Sequence, residues 1–117
     1  MASVDCLFCK ISRGAIPSSK VFEDDLVFAI RDIKPQAPTH VLVIPKVHVL
    51  SLSELSDERV AGRLLTVAAE IARKEGLVGG WRLIGNSGAH GGQVVMHLHL
   101  HVLGGRALGR MLTPASS

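Results

Sequence analysis

Three of the six histidines lie within five residues of one another, in the segment MHLHLHVL (residues 96–103). His97, His99 and His101 alternate there with aliphatic residues. Because successive side chains of a β-strand point to opposite faces, this spacing predicts a strand with three imidazoles on one face and aliphatic side chains facing the core. Serine, threonine or lysine would serve equally well on a merely solvated face. The pattern therefore favours chemistry, either metal ligation or attack by an imidazole nitrogen as a nucleophile.

The glycine-rich segment GAHGGQ (residues 88–93) comes just before the histidines. Glycine lets main-chain N–H groups approach an anion closely, and the side-chain amide of Gln93 can donate to a phosphoryl oxygen. A glycine-rich loop is weak evidence by itself. Directly before three facing histidines, it predicts a phosphate site that includes Gly92 and Gln93.

The two cysteines, Cys6 and Cys9, form a single CxxC motif, which has the spacing of half a zinc site. The alternatives are two reduced, buried thiols or a redox pair. The redox alternative is disfavoured, because the motif does not follow a strand in a βαβ unit as it does in thioredoxin-like folds. A zinc site would need two further ligands, which would have to be histidines.

Length and composition restrict the class of protein. The chain of 117 residues fits one domain, residues 1–117, whose core must be mainly aliphatic. Thirteen basic and ten acidic residues give a net charge of +3 without a long run of either sign, which argues against a dedicated nucleic-acid-binding protein. No apolar run approaches the roughly 20 residues of a membrane span. Asp5 lies where a signal peptide would be basic or apolar, so we expect a cytoplasmic protein.

The elements that would position these residues are predicted from periodicity and turn residues. Residues 57–75 have apolar side chains at helical spacing, with Ser56 as the N-cap and Gly76 as the stop. The order β-β-β-α-β-β indicates an α+β domain with a largely antiparallel sheet and one main helix. We expect the tail, about residues 106–117, to be partly mobile. The predicted strands are a hairpin over residues 21–31 with its turn at 23–25, then 40–46, 81–86 and 94–103.

The histidine segment resembles the His-x-His-x-His-x-x signature, with x apolar, of the histidine triad (HIT) family of nucleotide hydrolases and transferases. The segments DIKPQAPTHVLVIPKVH (residues 32–48) and GGQVVMHLHLHVLGGR (91–106) are similar to the Hint branch, the purine nucleoside phosphoramidases. The similarity extends from CLFCKISRGAIPS (6–18) to Gly105. It implies a HIT-like fold, with a five-stranded antiparallel sheet, one main helix and a short N-terminal helix.

The resemblance implies that His99 is the nucleophile. It would attack the phosphorus of a purine nucleoside 5′-phosphoramidate, of adenosine or guanosine, and water would then hydrolyse the nucleotidyl-histidine intermediate. The main-chain carbonyl of His101 would accept the proton of the other ring nitrogen of His99. His97 completes the catalytic set, with His40 as a further orienting or charge-balancing imidazole. No catalytic metal is implied.

The resemblance also implies the residues around the nucleotide and the metal. Asn86 and Gln93 would contact the phosphate, and Asp32 would accept hydrogen bonds from the ribose hydroxyls. Considered alone, Asp32 is as well explained as a turn residue. The apolar walls around the purine would be Phe8, Ile11, Ile30, Ile33 and Leu42. A structural zinc ion would be held by Cys6, Cys9, His48 and His97.

Two departures from the phosphoramidase pattern leave other functions open. Val94 stands where Ser or Thr is usual, and Met96 replaces an aromatic or other bulky residue. One alternative is a dinucleoside polyphosphate hydrolase of the Fhit type. The other is a regulatory module that binds purine nucleotides with little turnover.

A homodimer is the predicted assembly. Ala61, Leu65, Ala69 and Ala72 form a second apolar stripe on the helix, more than one sheet needs. Loops or the N-terminal segment could cover this stripe instead. In Hint relatives the helix packs against its twofold mate and the strand near Trp81 pairs across the same axis, so the resemblance implies a ten-stranded sheet with Leu65 near the helix interface.

Overall fold

A five-stranded antiparallel sheet in the order β1-β2-β3-β5-β4 positions the histidines. The computed structural model describes residues 5–112. A short helix, α1 (Leu7–Ser12), precedes the sheet, and the long helix α2 (Glu58–Lys74) lies between β3 and β4. The strands are β1 (Lys20–Glu23), β2 (Val27–Arg31), β3 (Thr39–Pro45), β4 (Trp81–Gly85) and β5 (Leu100–Gly104). The predicted α+β architecture is therefore confirmed, with one unpredicted short 3₁₀ helix at Leu52–Glu54.

Each face of the sheet packs against its own helix, and side-chain alternation assigns residues to the faces. On one face α2 covers a core formed with strand residues such as Val41, Val43 and Val102. On the other face α1 contributes Phe8 and Ile11 to a second core, formed with Phe28, Ile30, Leu42 and Ile44. Because His40 alternates with Val41, and His101 lies opposite Leu42, both histidines belong to the α1 face.

Helix α2 forms as its apolar periodicity predicts, but its N-cap is Asp57 instead of Ser56. Oδ1 of Asp57 accepts hydrogen bonds from the main-chain N–H groups of Arg59 and Val60, at 2.9 and 3.4 Å. A carboxylate at this position also interacts favourably with the helix dipole, which a serine hydroxyl does much less. The residues of α2 that pack on the sheet are Val60, Leu64, Val67, Ala68 and Ile71.

The last strand is shorter than predicted, because residues 94–99 do not join the sheet ladder. Pairing of β5 with both neighbours begins at Leu100. Before that point the main-chain N–H of Leu98 donates to the carbonyl of Val49, a loop residue, at 2.7 Å. The alternation nevertheless persists, since Leu98, Leu100 and Val102 all pack in the core beneath α2.

The tail after β5 contains no helix or strand as far as Leu112. Arg106 donates to the main-chain carbonyl of Gln36 at 3.1 Å, and Arg82 donates to that of Gly109. The predicted mobile tail thus has contacts with the body of the protein up to Gly109, and residues 113–117 lie outside the described residues. Within residues 5–112, neither helix is long and apolar enough to cross a membrane.

Candidate active site and metal centre

The CxxC motif forms the start of helix α1. Cys6 is the N-cap, and its Sγ accepts a hydrogen bond from the main-chain N–H of Cys9 at 3.4 Å. This turn directs both sulfurs toward His48, in the loop after β3, and His97, just before β5. The ligand atoms of all four residues lie within 4.8 Å of one another. The structure thus brings together the predicted metal ligands, which we call the Cys2His2 cluster.

The separations within the Cys2His2 cluster suit a tetrahedral metal ion. Nδ1 of His97 lies 3.1 Å from Sγ of Cys6 and 3.6 Å from Sγ of Cys9. Nδ1 of His48 lies 3.4 Å from Sγ of Cys9 and 3.2 Å from Nδ1 of His97. Zn–S bonds of about 2.3 Å and Zn–N bonds of about 2.0–2.1 Å place tetrahedral donors about 3.3–3.8 Å apart. The cluster could bind a metal ion, and four protein ligands would leave no position for a catalytic water.

The ring of His97 is oriented from outside the cluster. Its Nε2 donates to the main-chain carbonyl of Pro45 at 2.8 Å, so the lone pair of Nδ1 points at the thiols. The side chain is fully buried, and burial lowers the pKa of the ring. Burial thus favours the neutral imidazole that a metal ligand requires, and the hydrogen bond to Pro45 selects the tautomer whose lone pair is on Nδ1.

The main-chain carbonyl of His97 orients His99. It accepts a hydrogen bond from Nδ1 of His99 at 2.7 Å, so the lone pair of His99 is on Nε2, as a nucleophile requires. The expectation that the carbonyl of His101 accepts this bond is wrong. His101 lies within β5, between β3 and β4, whereas His97 precedes the ladder and its carbonyl is available.

His101 and His40 form the other side of the candidate active site. Nε2 of His40 lies 2.9 Å from Nδ1 of His101, and the ring centroids of His99 and His101 are 5.2 Å apart. The pKa of His101 is lowered to about 4, chiefly by burial and then by the neighbouring His99 and His40 rings. His101 is therefore neutral near pH 7, and it can donate one hydrogen bond and accept one.

A cavity of about 770 Å³ opens on the α1 face beside these histidines. Its volume is that of a small-molecule site. Phe8 lies between the cavity and the histidines, because it lines the cavity and its ring centroid is 5.1 Å from that of His99. The lining includes all six residues predicted for the purine and the ribose: Phe8, Ile11, Ile30, Asp32, Ile33 and Leu42. Ile33 is 93% exposed, so it borders the opening instead of forming a buried wall.

Asp32 is both a turn residue and a neighbour of the histidines. Its Oδ1 accepts a hydrogen bond from the main-chain N–H of Lys34 at 2.8 Å, which closes the turn after β2. Its Oδ2 lies 3.4 Å from Nε2 of His40. Asp32 therefore closes the turn and lines the cavity at the same time.

The glycine-rich loop is held by its own hydrogen bonds. Asn86 donates to the carbonyl of Gly91 at 2.7 Å. Gln93 accepts from the main-chain N–H of Gly88 at 2.9 Å and donates to the carbonyls of Leu50 and Val95. The main-chain N–H of Gly92 donates to the carbonyl of Ala89 at 3.1 Å. The predicted phosphate residues thus organise the loop, and a phosphate would have to compete with bonds that Gln93 and Gly92 already make.

Several residues at the site were not predicted. Ile16, Pro17, Ser18 and Ser19 line the cavity, and Val95 lines it from the histidine side. No local pattern marks these residues, because they are an irregular segment that only the packing of α1 brings to β2. The main-chain groups of Gln36, Pro45 and His97 that orient the histidines carry no sequence signal at all.

Comparison with known proteins agrees with this geometry. Residues 13–108 match the HIT domain family. The purine nucleoside phosphoramidase of Escherichia coli strain K12 is 52% identical over 111 residues, which span 92% of this chain and 93% of that protein. A histidine triad protein from Clostridium difficile superposes with a TM-score of 0.91 and 44% identity, over 96% of this chain and 100% of that one. A HIT family hydrolase from Legionella pneumophila Philadelphia 1 superposes with a TM-score of 0.87 and 47% identity, over 90% of this chain and 96% of that one.

These relatives are similar to this chain over nearly the full length of each, in sequence for all three and in fold for the two solved structures. The family match includes β1 through β5 and all of the histidines of the candidate active site. This chain belongs to the histidine triad (HIT) domain family.

Proposed function

We propose that this protein is a nucleotide hydrolase that cleaves the P–N bond of purine nucleoside 5′-phosphoramidates. The observation that carries the proposal is the hydrogen bond from Nδ1 of His99 to the carbonyl of His97, at 2.7 Å, which leaves a nucleophilic lone pair on Nε2. This nitrogen lies beside a cavity of nucleoside size. The phosphoramidase activity named for the Escherichia coli relative supports the same reaction.

The reaction has two steps. Nε2 of His99 attacks phosphorus, the P–N bond breaks, and the departing nitrogen takes up a proton from water and leaves as an amine. The ring then carries the nucleotidyl group on Nε2 and its proton on Nδ1, and the carbonyl of His97 stabilises the resulting positive charge. Water attacks phosphorus in the second step, Nε2 of His99 leaves with its electron pair, and the proton of that water neutralises the hydroxide left by the first step.

The cavity would hold the nucleoside part of the substrate. The purine would lie among the apolar residues Phe8, Ile11, Ile30 and Leu42, which line one continuous cavity, with Ile33 at its opening. Asp32 would accept hydrogen bonds from the ribose hydroxyls at the polar edge. Neutral His101 would donate to a phosphoryl oxygen, and Asn86, Gly92 and Gln93 would border the phosphate.

The Cys2His2 cluster would hold zinc in a structural role. Two thiols and two imidazoles are a common donor set for structural Zn²⁺, and four protein ligands give the closed site that such a role requires. Its position, between the N-terminus of α1 and the segment before β5, would fix α1 on the sheet. We place the protein in the reducing cytoplasm, where such thiols stay available as metal ligands.

A homodimer is the assembly that best explains the exposed apolar surface. Strand β4 is an edge of the sheet, and its Trp81 and Leu83 are 38% and 37% exposed. Leu65 of α2 is 55% exposed, and the half-buried Ala69 borders a small cavity together with Trp81, whereas Ala72 of the predicted stripe is buried. Pairing of β4 with its twofold mate would remove the open edge and cover this stripe, which gives the ten-stranded sheet.

The test of the proposed function is turnover of adenosine 5′-phosphoramidate by the wild-type protein and by His99→Ala. We expect the variant to lose at least about a thousandfold in kcat while its affinity for AMP stays within about threefold, because the nucleophile acts in the chemical step. Diadenosine polyphosphates, assayed in parallel, separate the phosphoramidase from the Fhit-type hydrolase. If the protein binds AMP but turns over neither substrate, the proposed hydrolase activity is wrong and the protein is the nucleotide-binding regulatory module.

A further inference from the structure

A second cluster of titratable groups lies beside the nucleophile, formed by Asp32, His40 and His101. One ligand atom from each lies within 4.8 Å of the others. The side chain of His40 is only 3% exposed, while that of Asp32 is 19% exposed and borders the large cavity. Asp32 therefore contacts the nucleotide cavity on one side and a buried histidine on the other.

The hydrogen bonds of this cluster run in one direction. The main-chain N–H of Gln36 donates to Nδ1 of His40 at 3.1 Å, so in a neutral ring the proton of His40 is on Nε2. That proton faces Nδ1 of His101 at 2.9 Å and Oδ2 of Asp32 at 3.4 Å. Nδ1 of His101 is consequently an acceptor, and the proton of the neutral His101 ring is on Nε2.

The direction of these hydrogen bonds argues against a metal ion bound by Asp32, His40 and His101. A metal bound to Nε2 of His40 would require the proton on Nδ1, where it would face the N–H of Gln36. His97 shows the arrangement that suits a metal, because its second nitrogen donates to a carbonyl instead. Asp32, His40 and His101 are thus arranged to fix proton positions.

The tautomers of His99 and His101 are complementary as a result. His99 is protonated on Nδ1 and has its lone pair on Nε2, whereas His101 is protonated on Nε2. Within residues 5–112, neither ring has a protein hydrogen-bond partner at Nε2. One Nε2 can attack phosphorus while the other donates a hydrogen bond to a phosphoryl oxygen, and this second function depends on His40.

We propose that Asp32 is a positioning residue for the chemical step as well as a ribose-binding residue: through His40 it holds His101 in the tautomer that donates to the phosphoryl group. The carboxylate can do both. It has about four acceptor sites, of which the N–H of Lys34 occupies one, while its charge 3.4 Å from Nε2 of His40 favours the proton on that nitrogen; sites remain for the ribose hydroxyls. The inference rests on the proposed function for its substrate, but the tautomers are a property of the protein alone.

Asp32→Asn tests this role, because the turn after β2 fixes how the asparagine amide is oriented. The N–H of Lys34 requires an acceptor at the Oδ1 position, so the amide oxygen of the asparagine would take that position. The amide NH₂ would then lie where Oδ2 was and face Nε2–H of His40, so two hydrogen-bond donors would oppose each other. His40 would then have to turn away or change tautomer, and His101 would lose the donor at its Nδ1. The other groups that face His101 are the ring of His99 and the apolar Leu42 and Ile84, which cannot replace that donor.

The experiment has two readouts on the same proteins. Long-range nitrogen–proton NMR spectra, without substrate, identify the protonated nitrogen of each neutral histidine ring. We expect Nε2–H for His40 and His101 in the wild type, and a changed His101 signal in Asp32→Asn. Steady-state kinetics then compare adenosine 5′-phosphoramidate with its 2′,3′-dideoxy analogue, for which kcat should also fall by about tenfold or more in the variant. Asp25→Asn, which removes the same charge at an exposed position, is the matched control.

A ribose-binding role alone gives a different result. In that case Asp32→Asn would raise KM for the ribose substrate only, the dideoxy analogue would react as in the wild type, and the His101 signal would not change. Asp32→Ser, which keeps an acceptor for Lys34 but does not reach His40, repeats the test if the asparagine variant does not fold. If the wild type hydrolyses neither substrate, the proposed function fails, and the ring signals still decide the tautomers.

Discussion

His97 and His99 are joined by a hydrogen bond from Nδ1 of His99 to the main-chain carbonyl of His97, at 2.7 Å. The side chain of the same His97 lies in the Cys2His2 cluster, with Nδ1 3.1 Å from Sγ of Cys6. The residue that orients the proposed nucleophile is thus also a candidate metal ligand. A metal ion in the cluster would restrain the His97 main chain, and its loss should weaken both folding and turnover.

His48→Asn tests the metal centre without altering His97 itself. We expect the wild type to contain about one zinc ion per chain, and the variant to contain much less, because three ligands bind zinc far more weakly than four. Its melting temperature should fall by about 5 °C or more, equivalent to about 1 kcal/mol. Elemental analysis after purification without chelators, together with thermal melts, provides the measurement. His90→Asn, at an exposed histidine, is the control for metal content and stability. A wild-type protein without metal would contradict the assignment.

His101 gives a predicted pH dependence of stability. Its folded-state pKa of about 4 lies below the ordinary value of 6.5, so between these pH values the unfolded chain binds more protons than the native protein. Its contribution to stability is therefore complete above about pH 6.5 and is lost as the pH falls toward 4, on the order of 3 kcal/mol. Urea unfolding from pH 7 to pH 4 should show a steeper loss for wild type than for His101→Gln. Parallel curves would mean that His101 titrates normally.

Leu65→Glu tests the homodimer. Light scattering at micromolar concentration should give roughly twice the chain mass for the wild type and a mass near one chain for the variant, because a buried carboxylate at the twofold interface is costly. Leu52→Glu is a matched control, since Leu52 is 51% exposed and Leu65 is 55% exposed. A monomeric wild type would refute the dimer. Equal dissociation by Leu52→Glu would mean that the interface does not lie at Leu65.

Strand alternation and helical periodicity were sufficient to predict the sheet, α2 and the common face of the histidines. Local rules placed Asp32 in a turn and Cys6 and Cys9 in half of a metal site. The family resemblance supplied the remaining ligands His48 and His97 and the cavity residues, which lie far apart in the chain. The cavity residues are apolar side chains that local patterns cannot distinguish from core.

The errors have physical causes that alternation does not encode. The segment 94–99 continues the apolar–polar pattern, but the main chain of β3 and β4 offers no partners there, so regular pairing begins only at Leu100. The acceptor for His99 was assigned to His101 from the family resemblance, and only the structure, in which the ladder begins after His99, identifies the carbonyl of His97 as the acceptor. Hydrogen bonds made by main-chain atoms of Gln36 and Pro45 depend on tertiary structure alone.

Trapping of the nucleotidyl-histidine intermediate tests the central claim most directly. The protein is mixed with adenosine 5′-phosphoramidate and quenched in alkali within the first turnovers, and its peptides are analysed by mass spectrometry. We predict an adenylyl group on His99 in the wild type and none in His99→Ala, because the proposed mechanism has Nε2 of His99, which carries the lone pair, attack phosphorus. Hydrolysis that continues while no adenylyl group is found on His99, or while one is found on another residue, would contradict the account.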